Sequence, residues 1–443
     1  MKNQVLLIIC LCITLSLHAT VIKTVTINAG GLSSALSSTD LATVNNLTIS
    51  GTINTIDFLT IRDDMPALHV IDLSGATIET YTGTLGTGGT DSIIVYPANA
   101  VPVDAFYNPN TYTGKGSLNS VILPSSVTII GDNAFNGCTG LSGPFTLPPS
   151  VTSIGKDAYS WCNNLTGSLT IPSTVTSIGN SAFYRCEGLF SVNILANITS
   201  IANGTFAYCT NLMTVSIPSS VTIIKSGAFG GCDNLLFMNI PSSVTIIEDD
   251  AFESCFDLIS VIIPSSVSSI GGFAFAGCPN LTEITIPSSV TSIGSGVFED
   301  CSGLTAIYSY TTTPVDLSLS NDVFAGVMKS SCILYVPQGT KTAYQTANQW
   351  KDFTNIVEMT NTGVSTQTID PVIFYPNPVT DGFFIKGLNG NGILTLLDIS
   401  GKTLLTKHVS GNEYISLSTF FKGLYIVKIT TTEGTIEKEV LKE

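Results

Sequence analysis

Between Leu118 and Leu304, apolar and polar positions recur in one fixed order. In Leu281-Thr-Glu-Ile-Thr-Ile-Pro287, Ile284 and Ile286 alternate with polar residues, the period of a half-buried strand. Pro287 ends that strand because it has no N–H to continue a ladder. Val290 and Ile293 mark a second short buried stretch, Gly294 turns the chain, and Phe298 and Cys301 return it to the interior. Nothing in the unit has the spacing of an amphipathic helix, so each pass predicts strands and turns.

The order repeats with a measurable step. Cys138, Cys162, Cys186, Cys209, Cys232, Cys255, Cys278 and Cys301 are separated by 24, 24 and then five times 23 residues. Three residues before each stands an aromatic: Phe135, Tyr159, Phe183, Phe206, Phe229, Phe252, Phe275 and Phe298. Prolines 124, 148, 172, 218, 241, 264 and 287 keep the same phase, with Leu195 breaking the column once. A fixed period of this length predicts a solenoid in which each turn buries its apolar positions against its neighbours and the ends need caps. At about 4.8 Å per strand, eight turns predict a stack on the order of 40 Å long. The turns opening at Leu141 and Leu165 carry one extra residue (Gly-Pro-Phe and Gly-Ser-Leu), which accounts for their longer step.

Composition narrows the setting. The chain has 443 residues, 44% hydrophobic and only 11% charged, with a net charge of −15. That balance excludes nucleic acid, which demands clustered Lys and Arg. Residues 118–310 hold three basic side chains against twelve acidic, whereas 365–443 hold seven against eight, a change of texture that marks a domain boundary. Residues 1–19 read as a secretory signal peptide: Lys2, an apolar run from Val5 to Leu17, and Ala19 at the cut. No later stretch reaches membrane-spanning length, so an exported chain without a transmembrane helix is expected. Export permits disulfides, but a period-locked cysteine faces one interior layer, so a stack of buried thiols is the leading expectation and pairing between adjacent turns the alternative. Zinc would need C-x-x-C spacings, which are absent.

The pattern L-x-x-[IV]-x-[IL]-P-S-S-V-T-x-I-G-x-x-A-F-x-x-C resembles the BspA-like leucine-rich repeat family of bacterial surface proteins, closely over residues 118–304. The fold class expected is therefore mainly β, a leucine-rich repeat solenoid of short parallel strands and turns. Leu47-Thr-Ile49 and Leu68–Leu73 look like degenerate turns, and Val103-Asp-Ala-Phe106 like a truncated corner, giving an N-terminal cap over 20–117 and regular turns over 118–310. Cys332–Pro337 reads as a last strand. Tyr344, Ala347, Trp350 and Phe353 then predict one short helix closing a cap over 311–360.

A Thr-rich linker over 361–371 precedes Phe374-Tyr-Pro-Asn-Pro378, Gly423-Leu-Tyr-Ile-Val-Lys-Ile429 and a terminal Lys438-x-x-x-Lys442. The residues alone predict a small Ig-like β-sandwich over 372–443. In order, these motifs resemble the C-terminal sorting domain of the type IX secretion system. That resemblance implies recognition by the outer-membrane translocon, followed by removal or attachment to surface lipopolysaccharide.

Candidate chemistry is sparse. Of the three histidines only His69 and His408 follow the leader, and neither has a nucleophile motif beside it. No Gly-rich phosphate loop sits between strand and helix. Glu248, Asp249, Asp250, Glu253 and Asp257 crowd one corner and read as a solvated turn rather than a calcium or acid–base site. No enzyme, metal or cofactor is expected.

Registering the turns exposes two surfaces. The position after each strand-opening Leu runs Asn119, Ser142, Thr166, Phe190, Met213, Leu236, Ile259, Thr282, Thr305, so four consecutive rungs are apolar. With Phe237 and Ile262 on outward positions of the same strands, they predict a stripe about 15 Å long, either exposed for a partner or half covered by the neighbouring loop. Beside the cysteines, Trp161, Tyr184, Arg185 and Tyr208 form an aromatic ledge on three turns. The expected function is binding of a macromolecule: a protein of host matrix or a neighbouring cell surface through the stripe, as the resemblance implies, or a glycan through the ledge.

Overall fold

The computed structural model describes residues 20–89, 92–359 and most of the segment from 373 onward. The expected leader, the linker over 361–371 and Pro376-Asn377-Pro378 lie outside the described residues. The chain divides into two compact units, Met1–Met359 and Thr360–Glu443.

The first unit is a parallel-strand solenoid. Each regular turn contributes a strand opened by its Leu and, across the core, a two-residue strand at its second apolar stretch. The first kind begins with β1 (Ile22–Ile27), β2 (Asn46–Ile53), β3 (Val70–Ile78) and β4 (Ser120–Ile122), paired in that order. It resumes with β5 (Gly143–Pro144), β6 (Leu165–Ile171), β7 (Leu189–Ile194) and β8 (Thr214–Ser216). The second ladder joins like strands of consecutive turns, Ile129-Ile130 with Ser153-Ile154 and Ile223-Ile224 with Ile246-Ile247, and is interrupted between Ser177-Ile178 and Ser200-Ile201.

The sequence explains why every turn closes alike. The carbonyl of each strand-ending proline accepts the N–H of the Val three residues on, as in Val244 N to Pro241 O at 3.0 Å. The second hydroxyl residue of the P-S-S-V unit reaches back one turn: Ser243 Oγ donates to Val221 O and Ser266 Oγ to Val244 O, both at 2.6 Å. Corner amides tie to the next turn, Phe206 N to Ala228 O at 2.9 Å. The aromatic rings stack face to face down the interior, Phe206 on Phe229 at 5.7 Å and Phe229 on Phe252 at 5.5 Å.

The cysteine ladder is a column of buried free thiols, as expected, and not a chain of disulfides. Each S–H donates to the carbonyl of the preceding turn's aromatic residue: Cys162 to Phe135 at 3.1 Å, Cys209 to Phe183 at 3.2 Å, Cys232 to Phe206 at 3.2 Å. Burial pushes the Cys138, Cys209 and Cys255 thiols up to about 12 and holds Cys162, Cys186 and Cys232 well above their ordinary range.

The ends depart from the sequence expectation. The N-terminal part carries a helix, Thr55–Asp63, that replaces the corner of a degenerate turn. Asn54 caps it by accepting from Ile56 N at 2.9 Å, and buried Asp57 accepts from Leu32 N at 2.9 Å. Lys115 Nζ donates to Met65 O at 2.7 Å just beyond its end, and Phe58 continues the aromatic stack onto Phe106 at 5.8 Å. At the other end the expected single helix is two pieces, Lys341–Tyr344 and a 3-10 turn at Trp350–Asp352. The break lets Tyr344 and Trp350 turn inward separately: Tyr344 OH donates to Thr311 O at 2.8 Å, and Trp350 Nε1 to Val315 O at 2.9 Å. Ile333–Pro337 is not the last strand either, because Asn355–Met359 pairs beyond it.

The second unit has two antiparallel sheets. Ile373–Tyr375, Gly382–Lys386 and Glu413–Ser416 form one, and Thr403–Ser410, Asn391–Asp398, Gly423–Thr431 and Gly434–Lys442 the other. Phe383, Ile385 and Ile415 from the first meet Leu394, Leu396, Val427 and Ile429 from the second in one core, the Ig-like sandwich the alternation predicts.

Candidate functional site

Two surfaces of the solenoid stand out, and both follow from the register. The column after the strand-opening Leu lies at the surface: Asn119, Ser142, Thr166, Thr282 and Thr305 are exposed, and so are Phe190 (38%) and Ile259 (41%). Met213 and Leu236 are half-buried between them. Backbone bonds run down the column, Met213 N to Phe190 O at 2.9 Å and Ile259 N to Leu236 O at 3.0 Å. Phe237 pairs with Ser260, and Ile262 with Asn239, so these two project from the same face in separate columns, with Ile262 53% exposed. All six residues are thus brought to one face of four successive turns.

The ledge is also assembled, with a geometry the sequence does not show. The residue before each cysteine sits in left-handed backbone, where Gly137, Gly231 and Gly277 have φ of 68°, 69° and 67°. Trp161, Arg185 and Tyr208 hold the same conformation at 61°, 56° and 57°, as do Ser254 at 57° and Asp300 at 56°. A side chain there costs roughly 1 kcal/mol or more, since only glycine escapes the Cβ clash. The three compensate one another: the Arg185 guanidinium carbon stands 4.4 Å from the Trp161 ring centre and 4.9 Å from that of Tyr208. Tyr184 meets both Trp161 (6.0 Å) and Tyr208 (5.5 Å) edge to face. The inner faces of Trp161 and Tyr208 therefore already hold a cation, and Trp161 (43%) and Tyr208 (42%) remain partly exposed.

The acidic corner serves the stack. Glu248 accepts from Ser226 N at 3.1 Å and Asp249 from Gly272 N at 2.7 Å, linking turns on either side. Among the described residues no cluster of three or more His, Cys, Asp or Glu could hold a metal ion, and no helix is long and apolar enough to cross a membrane.

One further surface is invisible to the repeat register. Tyr308 and Tyr335 stack at 4.7 Å on the outward side of Ala306–Ser309 and Ile333–Pro337. The long insertion between those strands breaks the period after Leu304, so counting from the cysteines does not reach them.

Residues 107–236 and 223–347 match the family model of the BspA type leucine rich repeat region, in six copies, and residues 373–443 match that of the secretion system C-terminal sorting domain. No curated protein matches the chain. Among solved structures it is similar to a leucine-rich repeat protein from Bacteroides ovatus (24% identity over 66% of this chain and 69% of that one, TM-score 0.48). Another is a leucine rich cell surface protein from Faecalibacterium prausnitzii (27% identity, 66% and 88% covered, TM-score 0.41). The sorting domain marks a type IX export substrate bound for the cell surface or the extracellular space. With the repeat model spanning more than half of its length, the chain belongs to the BspA type leucine rich repeat family.

Proposed function

We propose that this exported repeat protein binds another protein through the apolar stripe on its strand face. The observation that carries the reading is the column Phe190, Met213, Leu236, Ile259: four neighbouring apolar rungs at the surface, with polar rungs on both sides. Contiguous apolar surface of this kind on a polar protein is characteristic of interaction sites. Host matrix proteins or proteins of a neighbouring cell surface are the partner class, in keeping with delivery outside the cell. Surface plasmon resonance of wild type and a Leu236→Asp, Phe237→Asp variant against panels of matrix and bacterial surface proteins tests it. A partner that binds wild type and is lost in a variant with unchanged circular dichroism supports the stripe; retained binding removes it.

A second reading rests on the ledge. On three consecutive turns Trp161, Arg185 and Tyr208 present two partly exposed rings with a cation between them, a surface suited to stacking against a sugar ring. Trp161→Ala on a carbohydrate array decides it: loss of a glycan signal supports the ledge, and an unaltered array pattern refutes it.

A further inference from the structure

The apolar column Phe190, Met213, Leu236 and Ile259 lies in a field of one sign. From Leu189 to Ser309 the chain holds nine carboxylates and a single basic residue, Lys225, which follows the two-residue strand Ile223-Ile224 across the core. Three of the carboxylates border the column. Asp233 and Asp257 stand in the turns that lead into the strands of Leu236 and Ile259, on neighbouring rungs joined by Asp257 N to Asp233 O at 2.8 Å. Glu283 is exposed on the strand that follows, Glu283–Ile286.

None of the three makes an ion pair among the described residues, whereas Glu187, in the turn that leads to Phe190, has Arg185 Nη1 at 3.4 Å. Burial first and Asp257 second push the Asp233 carboxyl up. Like charges on adjacent turns with no cation between them are unfavourable, and a cation supplied from outside removes that penalty. The margin of the stripe therefore favours Lys or Arg on a partner and repels Asp or Glu.

Spacing selects the shape of that partner. Four rungs at about 4.8 Å per step span about 14 Å. An α-helix laid along the stack offers one apolar side chain per turn of about 5.4 Å, so side chains at i, i+4, i+7 and i+11 stay within reach of all four rungs. An extended strand laid the same way repeats its side chains about every 6.7 Å, so it presents only three over that length, one of them falling between rungs. Resting on the reading of this stripe as a protein-binding face, we propose that the partner presents a basic amphipathic helix. Its apolar edge lies on Phe190, Met213, Leu236 and Ile259, and its Lys or Arg side chains lie over Asp233, Asp257 and Glu283.

The test titrates the full chain with three labelled synthetic peptides, followed by fluorescence anisotropy and circular dichroism. One holds equal numbers of Leu and Lys with the leucines on one helical face, one holds the same residues in strict alternation, and one has Glu in place of Lys on the helical pattern. The helical Leu/Lys peptide binds saturably and gains helix, and the other two bind at least tenfold more weakly. Asp233→Asn, Asp257→Asn and Glu283→Gln together keep the side-chain shapes and weaken the helical Leu/Lys peptide about tenfold. No saturable binding of that peptide, equal binding by the carboxamide variant, or equal binding of either control peptide overturns the proposal. Leu236→Ser with Ile259→Ser separates that failure from failure of the stripe. Peptide binding that survives this pair removes the stripe as the site. Binding that is lost there but indifferent to charge leaves the stripe standing and refutes the basic helix.

Discussion

Raising the pH should dismantle the solenoid through its thiols. Eight cysteines are held above the ordinary value of 9.0: Cys138, Cys209 and Cys255 at about 12, Cys332 at about 11, and Cys162, Cys186, Cys232 and Cys278 well above their ordinary range. Burial is the leading cause except at Cys278, where the neighbouring Cys301 thiol comes first. The folded chain therefore keeps protons that the unfolded chain releases. Their stabilising contribution is complete below pH 9 and is lost as the pH rises toward 12. Each thiol removes roughly 1 kcal/mol per pH unit in that window, so eight together remove on the order of 10 kcal/mol per unit. That matches the whole stability of an ordinary domain, so unfolding between pH 9 and 10 is expected. Lys115 opposes it: burial lowers its amine to about 8, so its penalty fades as pH rises from there, but it is one group against eight. Urea midpoints followed by circular dichroism in a non-thiol reductant, from pH 8 to 10, give the slope. A Cys232→Ala, Cys255→Ala variant should show a shallower fall by two thiols' share. Identical slopes for the two proteins, or a wild-type midpoint flat across the range, would refute the reasoning.

Phe229→Ala removes a fully buried ring stacked on both sides and should cost about 3–5 kcal/mol, read as a lowered urea midpoint with protease cleavage confined to the neighbouring turns. In the sorting unit, burial first and Glu437 second raise Glu439 to about 8, so its contribution is complete below pH 4.5 and lost as pH climbs through 8. Glu439→Gln should therefore raise the melting temperature at pH 7.5 and leave it nearly unchanged at pH 4.5. Removing residues 372–443 should retain the protein in the periplasm, visible by fractionation and surface protease accessibility; normal display of the truncated chain would contradict the export route.

The regular turns were legible because three residue types in phase over-determine them. Pro, Phe and Cys each mark a different corner, so one misread residue cannot shift the register. The stripe was legible for the same reason, and only its exposure needed coordinates. The ends were not. Tyr344, Ala347, Trp350 and Phe353 carry a helical spacing, yet Tyr344 and Trp350 are drawn inward to separate carbonyls of the same loop, and that tertiary demand overrides local periodicity. The second strand of the cap, Asn355–Met359, has a single fully buried side chain, Ile356, and so no alternation to announce it. Counting from the cysteines places the ledge residues on adjacent turns, but left-handed backbone and the seat of Arg185 between two rings are invisible to residue counting. Tyr159 read as one more aromatic rung; that its buried hydroxyl lacks a hydrogen-bond partner is visible only in the packed core.

The hydroxyls of Ser243, Ser266 and Ser289, each reaching back one turn from its P-S-S-V unit, and the repeated corner bonds make the interfaces of those turns interchangeable. An in-phase duplication or loss of 23 residues would rejoin matching surfaces, adding or deleting one rung without asking the rest of the chain to refold differently. Lineages of this protein can therefore vary the reach of their outer face in steps of one strand, with the caps and the export signal untouched. Inheritance, in this molecule, acts on length as easily as on side chains.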